Sequence, residues 1–314
     1  MPDPSVALII AAKDASATVG LAVASALRQP EAAEVVLVDD GSRDDRTVAA
    51  ARAADDGSGR LKIIRLDQNV GPSAARNRAI AASSAPLIGI LDADDYLEPG
   101  RLARLLALAP EGWDILADNM VFKTQGREDH PGDLLIADGV PTPFRLTPIG
   151  FILRNITDVT RPRRELGFLK PLVRRRFLLD NDLAYDETLR LGEDYILYTQ
   201  SLLKGAAFWV VAACGYVAIE RPDSLSGSHA GRDLAALVEA DDRLIALAGG
   251  EPTVTRALLA RRRNNRRRRD HAQMLEAKRE RRFGAALEAL LRTPDSTIHI
   301  LAATVRDRLA RLHR

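Results

Sequence analysis

The sequence Leu91-Asp92-Ala93-Asp94-Asp95 places three carboxylates directly after an apolar run, residues 86–91. The run predicts a buried strand, and a helical pattern follows from about residue 98. Like charges at the end of a strand repel one another, and a hard divalent cation with oxygen ligands relieves that repulsion. Such a cation keeps positions open for phosphate oxygens, so the stretch predicts a metal-bridged diphosphate site. An Asp-rich turn that caps the next helix is the alternative interpretation.

The residues around this stretch alternate between strand and helix patterns. A continuous apolar run at residues 6–12 predicts a buried central strand, and residues 34–38 and 61–66 predict a second and a third strand, each followed by a helical pattern. This alternation predicts an α/β fold with a mostly parallel sheet and helices on both faces. Ligands bind such sheets at the carboxyl ends of the strands.

Polar clusters follow four of the predicted strands. They occupy residues 11–14, 39–42, 69–73 and 92–95. Because the carboxyl ends of parallel strands meet at one edge of a sheet, we expect the four clusters to form a single site.

The composition is typical of a soluble globular protein. Of 314 residues, 46% are apolar and 28% are charged, and the net charge of +2 is too small to indicate a partner. The single cysteine, Cys214, excludes an internal disulfide and favours a reducing compartment. The N-terminal apolar run is too short for a signal peptide, and residues 206–219 are too few to cross a bilayer. We therefore expect a cytoplasmic protein.

Two later parts of the chain depart from the alternation. Residues 123–165 contain several prolines and no regular pattern, which is typical of a lid or an acceptor-binding loop. Residues 221–226 predict a domain boundary, and nearly all of the sequence beyond them has a helical pattern. The predicted organisation is a domain of residues 1–225, with halves 1–122 and 123–225, and a helical region of residues 226–314.

The C-terminal helical region is strongly basic. Residues 256–282 contain twelve Arg or Lys and three acidic residues. This charge has three interpretations: a solvated helical surface, attraction to anionic lipid at the inner face of the cytoplasmic membrane, and nucleic-acid binding. Few aromatic residues stand between the arginines, so no nucleic-acid partner is expected. A lipid-linked acceptor would favour a peripheral membrane protein.

Six short motifs occur in a fixed order within residues 4–225. They are Ser5–Ile10, Ser25–Gln29, Val38-Asp-Asp-Gly-Ser42, Asn69-Val-Gly71 with Ala75-Arg76-Asn77, Leu91–Asp95, and Gly192-Glu-Asp-Tyr195. This set resembles the family 2 glycosyltransferases, which have the GT-A fold, and in particular bacterial exopolysaccharide and surface-glycan transferases. Any one motif is weak evidence, whereas the ordered set is highly specific.

The resemblance implies an inverting, metal-dependent transfer of a sugar from a nucleotide-sugar to an acceptor hydroxyl. The implied acceptor is a glycan or a lipid-linked intermediate of exopolysaccharide assembly. Two alternatives remain open on the sequence. One is a phosphohydrolase that uses Asp92 and Asp94, and the other is a protein that binds a nucleotide-sugar without catalysis.

The resemblance also implies which residues bind the donor. Asp39 or Asp40 reads the base, typically uracil, because a carboxylate can accept a hydrogen bond from N3–H. Lys13 stands where the family usually has an aromatic residue that stacks on the base, so UDP is preferred while GDP and dTDP stay open. The donor-binding set implied by the resemblance is Ala11, Lys13, Asp14, Asp39, Asp40, Gly71, Arg76, Asp92 and Asp94.

The same resemblance assigns the metal ligands. Asp92 and Asp94 match the DXD motif, and Asp95 lies next to them. They are implied to contact the ribose and to hold Mn²⁺ or Mg²⁺, which neutralises charge on the leaving group. Arg76 is predicted to pair with a DXD carboxylate or with a phosphate, and a surface ion pair is the alternative.

Glu193 and Asp194 match the acidic pair of the family near the acceptor. Inverting transfer needs a base that takes the acceptor proton. Asp194 is the preferred base and Glu193 the alternative, and either one could instead cap the helix that follows.

Five further basic residues are candidates for phosphate binding. Lys170 and residues 174–176 are predicted to form a solvated basic face rather than a phosphate contact. His229 is interpreted either as a metal or phosphate contact or as an ordinary polar loop residue.

Overall fold

The computed structural model describes residues 5–127, 129–157, 165–221 and 230–312, with side chains described up to residue 303. His229 and the boundary predicted at residue 225 lie outside the described residues. The chain divides into two compact units, Met1–Pro222 and Asp223–Arg314.

The first part of the larger unit alternates strands and helices. Its elements are β1 (Val6–Ala12), α1 (Val19–Leu27), β2 (Ala32–Asp39), α2 (Arg46–Ala53), β3 (Leu61–Arg65), α3 (Pro72–Ala81), β4 (Leu87–Ile90), β5 (Tyr96–Leu97), α4 (Arg101–Ala107) and β6 (Ile115–Thr124). The residues of β1 and β4 are almost all buried. Continuous apolar runs form these central strands because both faces of the sheet are covered.

The second part of the larger unit is less regular. Its elements are β7 (Asp133–Leu134), β8 (Phe144–Arg145), α5 (Pro148–Leu153), a 3₁₀ turn (Leu166–Phe168), β9 (Leu172–Arg174), α6 (Arg175–Asp180), α7 (Glu193–Leu203) and β10 (Phe208–Glu220). A short helix, α5, lies within the region that carries no regular pattern in the sequence. It begins there because Pro148 suits the first helical turn and Thr147 accepts a hydrogen bond from the Gly150 N–H.

The strands form one mixed sheet in the order β3-β2-β1-β4-β9-β6-β10-β5. Neighbouring strands from β3 to β4 are parallel, and so are β6 and β10. Strand β9 lies between β4 and β6 and is antiparallel to both. The predicted α/β fold with a mostly parallel sheet is therefore confirmed. The amino end of β9 comes to the edge at which β4, β6 and β10 have their carboxyl ends.

The smaller unit is helical. It contains α8 (Gly231–Leu247), α9 (Pro252–Arg279), α10 (Phe283–Leu291) and α11 (Pro294–Leu312). Buried Asp241 accepts hydrogen bonds from Arg261 and Asn265, which ties α8 to α9. Across the described ranges, every helix is too short or too polar to cross a membrane.

Candidate functional site

Arg76 joins two elements at the carboxyl edge of the sheet. Its side chain, on α3, is only 6% exposed. Nη2 donates to Asp92 Oδ1 at 2.8 Å, and Nη1 donates to Glu193 Oε1 at 2.6 Å. The predicted pairing of Arg76 with Asp92 is confirmed, and the surface ion pair is wrong, because α3 packs against the sheet and turns this arginine inward.

Lys170 lies at the centre of the same cluster. Its Nζ is 2.7 Å from Asp194 Oδ2 and 2.9 Å from Asp92 Oδ2, and the residue is buried. The predicted solvated face is therefore wrong for Lys170, although it holds for the exposed Arg176. The reason is the antiparallel β9: Gly89 is opposite Leu172, so Lys170 comes to the end of β4.

The two cations fix the ionisation of Asp92. Burial acts to raise the pKa of this carboxyl, but the adjacent Lys170 and Arg76 outweigh burial and hold the pKa well below its ordinary value. Burial likewise acts to lower the pKa of Lys170, and the carboxylates of Asp194 and Asp92 raise it instead. Asp92 and Lys170 therefore stay charged at neutral pH.

Asp94 is more accessible and less well compensated. Its side chain is 29% exposed, and Oδ2 accepts a hydrogen bond from Arg221 Nη2 at 2.5 Å. Burial and the neighbouring charge of Asp92 raise the pKa of Asp94, although Arg221 acts in the opposite direction. A further cation at Asp94 would relieve both effects.

Asp95 turns away from the other two carboxylates. Its Oδ2 accepts from Tyr216 Oη at 2.8 Å, and its Oδ1 accepts from the Ile219 N–H at 2.9 Å. Burial, together with the charges of Asp92 and Asp94, raises the pKa of Asp95 well above its ordinary value. Asp95 therefore fastens β10 to the Asp-rich turn.

The sequence predicts that three carboxylates share one cation, and this prediction needs correction. Within the described ranges, no three Asp, Glu, His or Cys side chains group together as a metal site. The carboxylates diverge because Asp92 is held by Arg76, while Tyr216 holds Asp95. Asp94 is left as the accessible metal-ligand candidate, with Asp92 beside it.

The two aspartates at the carboxyl end of β2 have different surroundings. Asp40 accepts hydrogen bonds from the Val70 and Gly71 N–H groups, at 2.7 and 2.9 Å, and so holds the loop before α3. Gly71 has a φ of 96°, a conformation that favours glycine. Asp39 is fully buried, and its Oδ2 accepts no hydrogen bond, with Arg65 Nε 3.5 Å away.

The predicted donor residues at the end of β1 lie beside these aspartates. Ala11 pairs with Val38 in the register of β1 and β2. Lys13 is exposed, and Asp14, at a φ of 50°, accepts hydrogen bonds from the N–H and Nε of Arg43. The structure brings the ends of β1 and β2 together, as the sequence predicts.

Glu193 and Asp194 form the first turn of α7, directly after Gly192, whose φ is 73°. Oδ2 of Asp194 is bound by Lys170, whereas Oδ1 is buried without a hydrogen-bond donor and lies 3.6 Å from Arg76 Nη1. Glu193 is occupied by Arg76. Asp194 thus has one oxygen bound by Lys170 and one buried oxygen that accepts no hydrogen bond.

Carboxyl groups outnumber basic side chains in this cluster. Its acidic members are Asp92, Asp94, Asp95, Glu193 and Asp194, and its basic members are Arg76, Lys170 and Arg221. The surplus of carboxyl groups suits the binding of a cation. Asp194 Oδ1, which is buried and accepts no hydrogen bond, suits the binding of a proton.

Tyr216 and Arg221 also contact the carboxylates of this cluster, although the sequence did not predict it. Tyr216 Oη accepts from the Asp92 N–H at 3.1 Å and donates to Asp95. Arg221 directly follows β10, at the same sheet edge as Asp94. The sequence places Arg221 directly after a long apolar stretch, where a site residue could have been expected. Residues 221–226 are instead predicted to be a domain boundary. Tyr216 lies within an apolar run and gave no signal.

Residues 7–165 match the model of glycosyl transferase family 2. The succinoglycan biosynthesis protein ExoU of Rhizobium meliloti (strain 1021) is 46% identical over 311 residues, which cover 98% of this chain and 88% of that protein. The succinoglycan biosynthesis protein ExoO of the same organism is 32% identical, covering 98% of this chain and 87% of that protein.

Solved structures share the fold. TarS 1–349 of S. aureus in complex with UDP has a TM-score of 0.60 and 17% identity, covering 91% of this chain and 90% of that chain. The mannosyltransferase PcManGT of Pyrobaculum calidifontis, in complex with GDP-Man and Mn²⁺, has a TM-score of 0.57 and 16% identity, covering 97% and 82%. The GT-A fold is thereby confirmed, and this chain is a glycosyltransferase that belongs to glycosyl transferase family 2.

Proposed function

We propose that this enzyme transfers a sugar, with inversion, from a nucleotide-sugar to a hydroxyl of a growing exopolysaccharide. The observation that carries the proposal is the cluster of Asp92, Asp94, Arg76, Lys170 and Asp194 at one edge of the sheet. The similarity to a succinoglycan biosynthesis protein along 98% of the chain supports a glycan or lipid-linked glycan acceptor.

Asp39 is the preferred residue for reading the donor base. Its Oδ2 is an unfilled acceptor, whereas the carboxylate of Asp40 is already filled by Val70 and Gly71. An N3–H group of uracil, or an N1–H group of guanine, suits such an acceptor. Solved structures with this fold hold UDP or GDP-Man, and UDP remains our first choice.

Asp94, with Asp92 beside it, would hold Mn²⁺ or Mg²⁺. The site fits such an ion, because Asp94 is partly accessible and its charge is incompletely balanced. A bound divalent ion would neutralise the donor diphosphate and the leaving nucleotide. Arg76 and Lys170 would keep Asp92 ionised and in position throughout.

Asp194 would act as the base. The acceptor oxygen attacks the anomeric carbon, the bond from that carbon to the donor phosphate breaks, and the acceptor proton moves to Asp194 Oδ1. Lys170 holds the other oxygen and stabilises the carboxylate form before the proton arrives. A single displacement of this kind inverts the anomeric configuration.

A phosphohydrolase mechanism suits this geometry poorly. An aspartate nucleophile needs a free oxygen, and both oxygens of Asp92 are occupied by Arg76 and Lys170. A binding protein without catalysis has no need for the base at Asp194.

The test is transfer of a labelled sugar from UDP-glucose, UDP-N-acetylglucosamine or GDP-mannose to lipid-linked glycan, with NMR assignment of the new linkage. We expect an inverted linkage with at least one donor, and its loss in Asp94→Asn and Asp194→Asn. Asp180→Asn, which alters an exposed ion pair on α6, is the matched control and should keep activity. A retained configuration, or release of phosphate alone, would refute the proposal.

A further inference from the structure

The smaller unit exposes large apolar side chains that the proposed chemistry does not use. On α10, Phe283, Leu287 and Leu291 are 67%, 55% and 60% exposed, and on α11, Ile298 and Leu301 are 69% and 55% exposed. Side chains four residues apart lie on one face of a helix. We call these five residues the apolar stripe. Large apolar side chains exposed together mark an interaction surface.

The buried side chains of α10 and α11 lie on the opposite faces of these helices. Ala289 of α10 and Ile300 and Ala303 of α11 are buried, and both helices pack against α9. The fold of the smaller unit therefore already has its core, and the apolar stripe is left over from it.

A cluster of cations stands at the start of the stripe. Residues 278–282, the basic turn, link α9 to α10 and end directly before Phe283. Lys278, Arg279 and Arg281 are exposed, and the one acidic residue, Glu280, is paired with Arg282 at 2.7 Å. Positive charge and apolar surface are therefore adjacent in the chain.

Much of the remaining positive charge on α9 is used inside the unit. Its internal ion pairs are Arg261 with Asp241, Arg262 with Asp242, Arg267 with Asp295, and Arg269 with Asp270. The sequence predicts attraction of anionic lipid to the basic helices as a whole. Of the exposed cations of α9, which include Arg256 and Arg263, those of the basic turn adjoin the apolar stripe.

We propose that the apolar stripe and the basic turn dock the smaller unit on an anionic lipid bilayer. Helices α10 and α11 would lie in the plane of the interface, with apolar side chains at the acyl boundary and cations at the head groups. Long Lys and Arg side chains reach the head groups easily from such a position. A second copy of this chain is the weaker occupant, because it would bring an equally basic turn rather than opposite charge.

Sedimentation of the full chain with vesicles tests this proposal without any sugar transfer. The vesicles are phosphatidylcholine alone or phosphatidylcholine mixed with anionic phosphatidylglycerol. We expect binding to the mixed vesicles, weakened by salt, and at least about tenfold less binding for Leu287→Glu. The double variant Lys278→Glu/Arg279→Glu should lose at least about tenfold on mixed vesicles only.

Leu179→Glu is the matched control, because Leu179 of α6 is 72% exposed but lies in the larger unit. It should bind mixed vesicles as the wild type does, and circular dichroism should show that all variants fold. Absence of wild-type binding, or wild-type binding by Leu287→Glu, would overturn the proposal. A different outcome would also overturn the proposal: light scattering shows that the wild type is a dimer and that Leu287→Glu is a monomer, and neither protein binds vesicles. The apolar stripe would then be covered by a second copy of this chain.

Discussion

Asp194 in the larger unit and Asp270 in the smaller one are both buried aspartates paired with basic side chains, yet their surroundings differ. Asp270 accepts hydrogen bonds from Arg269 and Arg292 at Oδ1 and from Ser296 at Oδ2. Asp194 has Lys170 at Oδ2 and no hydrogen-bond donor at Oδ1. The carboxylate of Asp270, with both oxygens hydrogen-bonded, ties helices of the smaller unit together, whereas Asp194 keeps one oxygen without a hydrogen bond and is the residue we propose as the base.

The same contrast extends to charge. Around Asp270 two arginines surround one carboxylate, while around Asp194 the carboxylates outnumber the cations. Burying unbalanced carboxylates costs stability, so folding alone does not favour such an arrangement. A divalent cation would restore the balance, which is why we propose the metal there, with the donor diphosphate bound through that cation.

The largest effect should come from Asp194→Asn, which removes the proposed base while keeping the shape of the side chain. We expect kcat to fall by about 10²- to 10⁴-fold, the range for loss of a general base. Donor binding should stay within about twofold, because the proposed role of Asp194 is to take the proton of the acceptor. Steady-state kinetics with the best donor gives both numbers, and an undiminished kcat would assign the base to another residue, Glu193 first.

Asp270→Ala is the counterpart in the smaller unit. Removing this carboxylate leaves Arg269 and Arg292 without their partner and should destabilise the helices by about 3–5 kcal/mol. Denaturant unfolding followed by circular dichroism measures the loss. Nucleotide binding by the larger unit should be unchanged, and a variant as stable as the wild type would show that Asp270 is not the anchor we infer.

A smaller, pH-dependent effect is expected at Asp92. Its pKa in the folded chain lies below the ordinary value of 3.8, so the folded state binds this proton more weakly than the unfolded chain does. The ionised carboxylate of Asp92 therefore stabilises the folded state fully above about pH 4. This stabilisation is lost as the pH falls through the pKa that Asp92 has in the folded chain.

The free energy of unfolding, measured between pH 2 and 6 with a chelator present, should decrease as the pH is lowered. This decrease should be less steep for Asp92→Asn than for the wild type. The difference should be about 1 kcal/mol, kept small because the Asp92 side chain is 30% exposed. If the free energy of unfolding depended on pH in the same way for both proteins, Arg76 and Lys170 would not lower the pKa of Asp92 as we infer.

The smallest effect belongs to Arg176→Ala. Its ion pair with Asp180 is exposed at both ends, so stability should change by less than about 0.5 kcal/mol. Thermal unfolding measures this small change in stability. The larger stability changes expected for the other variants are compared with it. If Arg176→Ala lowered the free energy of unfolding by more than about 1 kcal/mol, exposed ion pairs would stabilise this protein more than we assume when we compare the two buried aspartates.

Local patterns were enough to predict the central strands and the Asp-rich turn. Strands β1, β2 and β4 are largely apolar and buried, and polar residues follow them, so both their burial and their common edge could be predicted, whereas the edge strand β3 is only partly buried. Arg76 could be placed as well, because α3 follows β3 directly and turns back to that edge.

The residues that the sequence did not reveal reach the site through long-range pairing. Lys170 depends on β9, a strand of three residues that is antiparallel to its neighbours and too short to give a pattern. Asp95 is diverted by Tyr216, which is 121 positions away in the chain. Such contacts follow from strand order and register, which local periodicity does not encode.

The most direct test of the account is calorimetric binding of UDP and GDP, each with and without Mn²⁺, to the wild type and to Asp94→Asn. We predict that one nucleotide binds the wild type at least about tenfold more tightly with Mn²⁺ than without it, and that Asp94→Asn removes this difference. Asp180→Asn should behave as the wild type. Binding that is equally tight with and without Mn²⁺, or a Mn²⁺ effect that survives in Asp94→Asn, would contradict the claim that the surplus carboxylates form a metal and nucleotide site.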